Sequence, residues 1–586
     1  RHTLADVSGF NALVAEGLFP DLDQELVDAV LEEAGKFAAE IIAPINQPGD
    51  TEGCTYDPES GDVKTASGWK ETYAQWVEAG WGALPCSADH GGQGLPTTMG
   101  LAVQELWNTA ANAYGIGTLL TQGAVNAIIA HGTEEMKTTY LPKMVTGEWT
   151  GTMNLTEPHC GTDLGLMRTK AEPQEDGSFS VTGQKIFISA GEHEMSNNII
   201  HLVLAKIPGG PEGIKGVSLF IVPKFHVNDD GSVGARNGVS CGAIEEKMGI
   251  HANSTCVMNY DEATGYLIGE ENRGLNAMFV MMNEARLGVG LQGLAISEVA
   301  YQNGLDYAKE RLQGRSLTGA KEPEKKADPI IVHPDVRRML MNIKAINEAG
   351  RAFMLWTALK GDISHRSGDE DERQLADDVM GLLTPIVKGV LTDKGFENAV
   401  NAQQIYGGHG YIQEWGMEQF VRDARIAQIY EGANGIQALD LVGRKLGRHG
   451  GRALMGISAE IDSFIAANKD NEKLATYTGG LKAAKDKLQM GTMWLMQNGM
   501  SNPDNAGAGS VDYMHMMGLA MLSYFWARMA KAAQAQIDAG STDEFYADKI
   551  LIANYFFARM APQIDAHLAK LQSGAEPVMA LAADRF

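Results

Sequence analysis

Apolar side chains recur at helical spacing through the first part of the chain. The segments DLDQELVDAVLEEAGKFAAEII (21–42), MGLAVQELWNTAANAYGIGTLL (99–120) and QGAVNAIIAHG (122–132) place them three or four positions apart, which is the period of one face of a helix. DHGGQGLP (89–96) has the glycines and proline of a turn. Residues 1–150 are therefore predicted to form an N-terminal α-helical domain.

The pattern changes near residue 151 to short segments rich in Val, Ile, Phe and Thr. They are SFSVTGQKIFISAG (178–191), NIIHLVLAKI (198–207), GVSLFIVPKF (216–225) and STCVMNYDEAT (254–264), with Gly, Pro and Asp between them. Such segments are typical of strands joined by turns. A middle β-domain with antiparallel strands is predicted over 151–270.

Helical periodicity returns after residue 270. We predict a C-terminal helical bundle over 271–450 and an additional helical domain over 451–586, so the fold class is α+β and mostly α. Polar stretches with Gly or Pro predict loops at 318–329, 363–374 and 500–509.

Two features of the last block predict local structure. Ser541 and Glu544 have the spacing of a capping box at a helix N-terminus. The block is also rich in methionine, and these flexible apolar side chains are predicted to fill the core rather than to form a binding surface. The methionines concerned are Met490, Met493, Met496, Met514, Met516, Met517 and Met521.

The charge balance narrows the possible partners. The formal net charge of −26 arises from 74 acidic and 48 basic residues, so a nucleic-acid backbone or an anionic membrane would be repelled on average. A few arginines near helix ends could still build a local site for an anionic cofactor. We therefore expect neither nucleic acid nor a membrane as a partner.

Cysteine, histidine and apolar patterns give no sign of disulfides, metals or membrane spans. The five cysteines form no CxxC pair, which argues against a disulfide framework or a zinc site and favours reduced thiols in the cytoplasm. No apolar run approaches the ~18 residues of a transmembrane helix, and RHTLADVSGF lacks the apolar region of a secretory signal. No HExxH spacing occurs, so no metal is expected, and His193 and His201 are interpreted as solvated loop histidines.

One glycine motif is a false lead. GVGLQG (288–293) matches GxGxxG, but a dinucleotide-binding fingerprint must follow a strand and open a helix. The upstream FVMMNEARL is helical in pattern, so close packing of helices at small residues explains the glycines better. Nicotinamide binding at this motif is rejected.

The most informative feature is a set of motifs in a fixed order. They are NLTEPHCGTD (154–163), GQKIFISAGEH (183–193), EEKMGIHANST (245–255), YAKERLQGR (307–315), QQIYGGHGYIQEWGMEQFVRDARI (403–426) and YEGANGIQ (430–437). Together they resemble the acyl-CoA dehydrogenase family over about residues 20–450. The resemblance implies an N-terminal α-domain, a middle β-domain and a C-terminal four-helix domain, here followed by the additional helical domain. It also implies FAD as the cofactor.

The resemblance implies FAD contacts in four of these motifs. Backbone and hydroxyl groups of the first motif hold the flavin pyrimidine end and the pyrophosphate. Phe187 stands where a tryptophan is usual against the flavin, and Ser189 supplies a hydroxyl near flavin N5. Arg311 reaches the pyrophosphate in a neighbouring subunit, and a QxxGG turn takes the far end of that cofactor. The implied contacts are Leu155, Thr156, Gly161, Thr162, Phe187, Ser189, Arg311, Gln404, Gly407 and Gly408.

Glu431 is the implied catalytic base. The resemblance implies that Glu431 removes the pro-R α-proton of an acyl-CoA thioester, while a hydride passes from the β-carbon to flavin N5. Such a base must be partly desolvated, and the developing enolate must accept hydrogen bonds from the Glu431 amide and a flavin ribityl hydroxyl. A lone acid before a glycine would more often be a surface residue, but the surrounding motifs favour the catalytic role.

A second position for the base is considered and set aside. Some family members carry their glutamate on the helix before the arginine of NEAR (283–286), where the candidates here are Glu284 and Ala285. Ala285 is too small to act, and Glu284 is interpreted as an exposed helical acid. His409, in the cofactor turn, is assigned no chemistry. The implied substrate contacts are Asn283, Arg286, Tyr430 and Gly432.

The extra block and the shortened RLQGR resemble long bacterial members of the family, which oxidise 3-methylthiopropanoyl-CoA in dimethylsulfoniopropionate catabolism. The predicted reaction is its dehydrogenation to 3-methylthioacryloyl-CoA, with electron-transfer flavoprotein as acceptor. A dehydrogenase for straight short- or medium-chain acyl-CoA, an acyl-CoA oxidase, and, less favoured, a nucleic-acid-binding flavoprotein remain alternatives. Because two chains share each FAD in the family, a homo-oligomer is implied. The extra block is expected to cover the tetramer contacts, which favours a homodimer.

Overall fold

The computed structural model describes residues 2–586 of the 586-residue chain. The chain divides into two compact units. One is Leu31–Gly288, and the other combines Arg1–Val30 with Val289–Phe586. The four domains predicted from the sequence, with boundaries at residues 150, 270 and 450, remain a prediction.

Helices form the part of the chain that precedes the main sheet. They are α1 (Phe10–Ala15), α2 (Gln24–Phe37), α3 (Asn46–Glu52), α4 (Trp69–Glu78), α5 (Thr97–Ala110), α6 (Asn112–His131) and α7 (Glu134–Thr146). Among the described residues, α6 alone is long and apolar enough to cross a membrane, which the sequence pattern did not predict. Most of α6 is buried, as in a helix that is apolar on every side inside a domain.

The strands lie in the unit Leu31–Gly288. They are β1 (Thr55–Tyr56), β2 (Val63–Lys64), β3 (Trp149–Asn154), β4 (Lys170–Pro173), β5 (Phe179–Ser189), β6 (Asn198–Lys206), β7 (Val217–Pro223), β8 (Phe225–Val227), β9 (Val233–Arg236), β10 (Val239–Ile244) and β11 (Thr255–Ile268). The four segments predicted as strands are β5, β6, β7 and β11.

The main sheet closes on itself. β5 pairs with β4, β4 with β6, β6 with β7, β7 with β11, and β11 again with β5, while β3 and β10 lie at its borders. The interior holds apolar side chains such as Val181, Val203, Phe220 and Met258. β6 pairs antiparallel with β7 as predicted, but it runs parallel to β3 and β4, where the prediction of antiparallel pairing is wrong. Long connections join these strands, and a parallel pair needs such connections.

The remainder of the chain is helical. The first group is α8 (Gly274–Glu310), α9 (Pro334–Arg366), α10 (Glu370–Ile405), α11 (Met417–Ile426) and α12 (Asn434–Asp440). The last group is α13 (Arg452–Ala467), α14 (Ala475–Asn498), α15 (Pro503–Asp538), α16 (Glu544–Arg559), α17 (Gln563–Gln572) and α18 (Glu576–Met579).

The GVGLQG motif lies inside α8, and its glycines serve helix packing as predicted. A Cβ on Gly290 would lie 2.7 Å from Val387 Cγ1, and one on Gly293 would lie 2.6 Å from the Leu391 carbonyl oxygen. Both neighbours belong to α10, so the two helices approach closely at these positions.

Two of the three predicted loops are shorter than expected. α9 continues to Arg366 and α10 begins at Glu370, because Asp369 caps α10 by accepting hydrogen bonds from the Asp371 and Glu372 amides. α15 begins at Pro503 after an Asn502 cap. The third loop, 318–329, is irregular as predicted.

Two predictions for the last block are corrected. The cap of α16 is Asp543, whose carboxylate accepts from the Phe545 amide at 3.0 Å, so Ser541 and Glu544 form no capping box. Met514, Met516, Met517 and Met521 are buried as predicted. Met490, Met493 and Met496 are more than half exposed on α14, because that helix buries only one face.

Adding a methyl group at Gly293 tests the close packing of α8 on α10. Gly293→Ala is expected to destabilise the protein by about 1–3 kcal/mol, because the new Cβ overlaps backbone atoms that cannot move independently. The exposed Gly479 of α14 has open space around its Cα, so Gly479→Ala should stabilise by about 0.5–1 kcal/mol through helix propensity. Urea unfolding measures both, and equal stabilities for the two variants would contradict the packing argument.

Candidate active site

In the unit Leu31–Gly288, a buried lysine joins two of the predicted cofactor motifs. Lys185 of β5 donates from Nζ to the Leu155 carbonyl at 3.0 Å and to Glu157 Oε1 at 2.8 Å. The Ile186 amide donates to the Thr156 carbonyl at 2.9 Å. The structure therefore brings the NLTEPHCGTD and GQKIFIS motifs together and holds the first against β5.

Glu157 balances the buried charge of Lys185. Its carboxylate also accepts from the Arg168 amide at 2.7 Å and from the Thr169 amide and hydroxyl at 3.1 and 2.6 Å. Burial opposes ionisation, but Lys185 and these donors keep the pKa of Glu157 below its ordinary value. Burial lowers the pKa of Lys185, and Glu157 opposes that change. The sequence pattern identified neither residue, although a lysine within a strand pattern was an available signal.

Glu157 also belongs to a small group of side chains with metal-binding chemistry. Ligand atoms of Glu157, His159 and Cys160 lie within 4.8 Å of one another. The Glu157 carboxylate is already engaged by Lys185 and two amides, and His159 Nε2 lies 3.0 Å from the Leu166 carbonyl oxygen. These contacts explain the grouping as internal bonding of the loop. That the protein needs no metal remains a prediction.

Phe187 and the loop around Gly161 fit a flavin. Phe187 has φ +60° and is 60% exposed, although non-glycine residues rarely adopt this left-handed conformation. A large exposed ring on a strained backbone is costly unless a partner covers it, and a planar flavin is such a partner. Ser189 is half-buried on the same strand. Gly161 and Thr162 are exposed, and a Cβ on Gly161 would meet only Thr156, at 3.7 Å.

The predicted substrate contacts Asn283 and Arg286 are half-buried on α8. Glu284, between them, is not the exposed acid that the sequence suggested. Its carboxylate lies 2.7 Å from Asn126 Nδ2. It lines a cavity of about 100 Å³ with apolar walls that include Trp81 and Trp107. Burial raises the pKa of Glu284 to about 7, against the opposing hydrogen bond from Asn126.

His193 and His201 are core residues, so the prediction of solvated loops is wrong. They are 1% and 0% exposed. His193 Nε2 lies 3.1 Å from Thr150 Oγ1, and His201 Nδ1 lies 2.7 Å from Thr152 Oγ1. Burial lowers the pKa of both imidazoles to about 3, so both are neutral. β6 is buried along almost its whole length, and a single alternating pattern could not reveal that.

In the other unit, Arg311 and the QxxGG turn lie at one end of the helical bundle. Arg311 is exposed directly after α8, and Gln404, Gly407 and Gly408 are exposed at the end of α10. The two ends are joined by Tyr307, whose ring stacks on the Tyr406 ring with centroids 4.0 Å apart. His409 is part of the same packing: its Nδ1 lies 2.8 Å from the Tyr307 hydroxyl, and its ring stacks on Trp415.

Glu431 lies in a short loop between α11 and α12 and is half-buried. Its φ of +55° places it in the left-handed region, like Phe187. Two buried side chains hold this conformation. Gln437 Nε2 donates to the Glu431 carbonyl at 3.0 Å, and Lys388 Nζ donates to the Gly432 carbonyl at 2.9 Å. Neighbouring Tyr430 donates its hydroxyl to Gln292 Oε1. Burial, and next the Glu431 carboxylate, raise the pKa of Tyr430.

Asn434 connects the loop to α10, and the sequence pattern did not identify it. Its Nδ2 donates to Asp393 Oδ1 at 2.7 Å and to Thr392 Oγ1 at 2.9 Å. Its Oδ1 accepts from Lys388 Nζ at 2.7 Å. Lys388 itself could have been found, because it interrupts the apolar run LLTPIVKGVL in α10, and a charge at such a position must be paired.

Changing Glu284 tests the raised pKa in the cavity. Its pKa of about 7 exceeds the ordinary 4.5, so the neutral form stabilises the fold at low pH. That contribution is complete below about pH 4.5 and is lost as the pH rises through about 7. Glu284→Gln should therefore be as stable as wild type at pH 5 and more stable at pH 8, by about 1–3 kcal/mol.

Urea unfolding at both pH values measures this difference. Glu59→Gln, at an exposed loop position, controls for the loss of one formal charge. Identical pH dependence in wild type and Glu284→Gln would show that the carboxyl group is not neutral in the fold.

Four family models match successive parts of the chain. Three of them describe domains of acyl-CoA dehydrogenases: the N-terminal domain matches residues 24–148, the middle domain 152–263 and the C-terminal domain 272–446. The fourth, acetyl-CoA dehydrogenase C-terminal like, matches 457–582.

Characterised proteins and solved structures agree with these models. 3-Methylmercaptopropionyl-CoA dehydrogenase of Ruegeria pomeroyi is 43% identical, over 89% of this chain and 87% of that protein. A butyryl-CoA dehydrogenase of Syntrophomonas wolfei is 36% identical, over 80% of this chain and 79% of that protein. The fold matches that of an acyl-CoA dehydrogenase complexed with FAD from Bacillus anthracis, with a TM-score of 0.75 and 21% identity, over 94% of this chain and 88% of the other. The chain belongs to the acyl-CoA dehydrogenase family of FAD-dependent oxidoreductases.

Proposed function

We propose that the protein dehydrogenates a short acyl-CoA thioester between its α- and β-carbons, with Glu431 as the base and 3-methylthiopropanoyl-CoA as the preferred substrate. The observation that carries the role of Glu431 is its strained backbone. A left-handed glutamate costs about 1–3 kcal/mol, and two buried donors, Gln437 and Lys388, hold its loop in that conformation. Such reinforcement of an unfavourable geometry is characteristic of a functional position.

In this proposal the Glu431 carboxylate removes the α-proton of the thioester and retains it. Bound FAD supplies the chemistry that accepts the hydride from the β-carbon. The Glu431 amide donates to the thioester oxygen as negative charge develops there. A half-buried position suits the base, because partial desolvation strengthens a carboxylate as a proton acceptor.

The FAD contacts are proposed for the positions that the motifs indicate. Phe187 and Ser189 would face the flavin ring, and the backbone at Leu155, Thr156, Gly161 and Thr162 would take the pyrimidine end and pyrophosphate. Their support is the exposed, strained Phe187 and the open backbone at Gly161. Arg311 with Gln404, Gly407 and Gly408 would hold the cofactor through the fork of the guanidinium and exposed backbone amides. Asn283, Arg286, Tyr430 and Gly432 are the proposed substrate contacts.

The thioether substrate is proposed from the relative of Ruegeria pomeroyi. The volume of about 100 Å³ of the cavity beside Glu284 supports a short acyl group, and its mostly apolar lining suits the aliphatic part of such a group. The butyryl-CoA dehydrogenase relative keeps a straight four-carbon chain as the second candidate.

We also propose electron-transfer flavoprotein as the electron acceptor, a cytoplasmic location and a homodimer. All five cysteines are free thiols, which supports a reducing compartment.

The homodimer is supported by exposed apolar side chains beyond the QxxGG turn. Tyr411 is 85% exposed, Ile412 49% and Trp415 41%. Grouped exposed apolar side chains are typical of an interface, here beside the proposed shared cofactor. Light scattering should give the mass of two chains, and a tetramer would contradict the dimer.

The base is tested by anaerobic flavin bleaching with wild type, Glu431→Gln and Glu284→Gln. Glu431→Gln is expected to lower the bleaching rate by about 10³-fold, the contribution of a positioned general base, with the flavin still bound. Glu284→Gln should retain the ability to bleach. Loss of bleaching in Glu284→Gln and its retention in Glu431→Gln would move the base to α8.

The substrate and acceptor are tested on the same protein. 3-Methylthiopropanoyl-CoA should bleach the flavin faster than butanoyl-CoA or octanoyl-CoA. A preference for butanoyl-CoA would retain the dehydrogenase and replace its substrate. Reoxidation by electron-transfer flavoprotein should exceed reoxidation by air, and the reverse order would indicate an oxidase.

A further inference from the structure

A polar bridge through α10 connects the C-terminal block (residues 451–586) to the loop of the proposed base. Helix α15 packs closely on α10, and a Cβ on Gly389 of α10 would lie 2.3 Å from Met514 Sδ. Next to that apolar contact, His515 of α15 is half-buried, and its Nε2 lies 3.0 Å from Asp393 Oδ2 of α10. Either protonation state that carries hydrogen on Nε2 can donate in this contact.

The other oxygen of Asp393 holds both ends of the Glu431 loop. Asp393 Oδ1 accepts from Gln428 Nε2 at 2.8 Å and from Asn434 Nδ2 at 2.7 Å. The backbone N–H of Asn434 also donates to the backbone carbonyl of Gln428 at 3.1 Å. Glu431 lies midway between these two residues in the sequence, so the Asp393 carboxylate and the backbone hydrogen bond together set the separation of the ends of its loop.

His515 is held from its far side as well. Its ring stacks on the His567 ring, with centroids 5.3 Å apart and planes 9° from parallel. Asp512 Oδ1 lies 2.8 Å from His567 Nδ1 and 2.6 Å from Lys570 Nζ. The orientation of the His515 imidazole is therefore determined by α15 and α17, both within the C-terminal block.

We propose that the C-terminal block positions the catalytic base through His515, which orients the Asp393 carboxylate that in turn spans the Glu431 loop. His515 is a positioning residue, since it acts through Asp393 and touches no reacting group. The proposal rests on the proposed function of Glu431. It assigns the additional domain a part in positioning the base for proton removal rather than only a part in stability.

The expected effect follows from the geometry of the bridge. Without the imidazole, Asp393 Oδ2 loses its partner, and the carboxylate can rotate toward other donors. Oδ1 then no longer holds Gln428 and Asn434 at their present separation. A displacement of about 1 Å in a catalytic group can reduce the rate of a reaction about 100-fold, whereas the proposed substrate contacts Asn283 and Arg286 lie on α8, outside this loop.

His515→Leu tests the proposal in the full-length, FAD-loaded protein. Anaerobic bleaching is followed by stopped flow with 3-methylthiopropanoyl-CoA and, in parallel, butanoyl-CoA, well below the melting temperature. The limiting rate should fall about tenfold or more, with half-saturation changed less than about twofold. A substrate deuterated at the α-carbon should show a larger isotope effect than in wild type. His515→Gln keeps a donor for Asp393 and should restore most of the rate.

Lys549→Met is the matched control for loss of stability. Lys549 of α16 pairs with Glu348 of α9 at 2.7 Å, a polar contact of the same block that does not reach the loop. Glu348 keeps a second partner, Lys344, at 3.0 Å. Lys549→Met should lower the melting temperature and leave the limiting bleaching rate within about twofold of wild type, as expected when no group near the reaction moves.

The outcomes separate this inference from the proposed function. A wild-type rate and isotope effect in His515→Leu, with Glu431→Gln inactive, would overturn the inference alone. Equal rate losses in His515→Leu and Lys549→Met would also overturn it, because stability would then explain both. Wild-type bleaching by Glu431→Gln would overturn the proposed function and the inference together.

Discussion

The loop that carries Glu431 depends on one buried ammonium group. Lys388 is fully buried within α10, and its Nζ donates to the Gly432 carbonyl and to Asn434 Oδ1. Burying an unpaired ammonium costs several kcal/mol, and the two acceptors that the loop presents reduce that cost for the lysine. The donors Lys388 and Gln437 in turn help to hold the left-handed glutamate of the loop. Each unfavourable feature is therefore compensated by the other.

The same physical arrangement occurs at the proposed flavin end. Lys185 is fully buried in β5, and its partners are Glu157 and the Leu155 carbonyl. In each unit a buried lysine of a strand or helix, Lys185 of β5 or Lys388 of α10, donates hydrogen bonds to a short loop. Fixing each loop residue costs about 1–2 kcal/mol of conformational entropy, and the hydrogen bonds to the lysine help to offset that cost, so that the motif residues keep a defined geometry. The motif residues supply the chemistry, and the neighbouring buried lysines determine their positions.

Whether a feature of this protein could be predicted from its sequence depends on the physical origin of that feature. Element types followed from hydrophobic periodicity, and the motif order identified the family, because both are local properties of the chain. Burial of polar side chains was not predictable in this way. Glu284, His193 and His201 are typical surface residues by type, and only tertiary packing places them in a cavity or a core. The cap of α16 was misplaced by two positions, since the Ser541 hydroxyl accepts from the Asp543 amide and the Asp543 carboxylate accepts from the Phe545 amide.

The polar contact between His515 of α15 and Asp393 of α10 lies in an otherwise apolar interface. The surrounding side chains of α15 are apolar and buried, among them Met514, Met516 and Met517. In such an interface a well-packed apolar pair is often as stable as a charged one, so stability alone does not call for the pair His515–Asp393. What an apolar pair cannot provide is a carboxylate with a fixed orientation. Asp393 needs that orientation to bind Gln428 and Asn434 simultaneously, and the loop of Glu431 lies between those two residues.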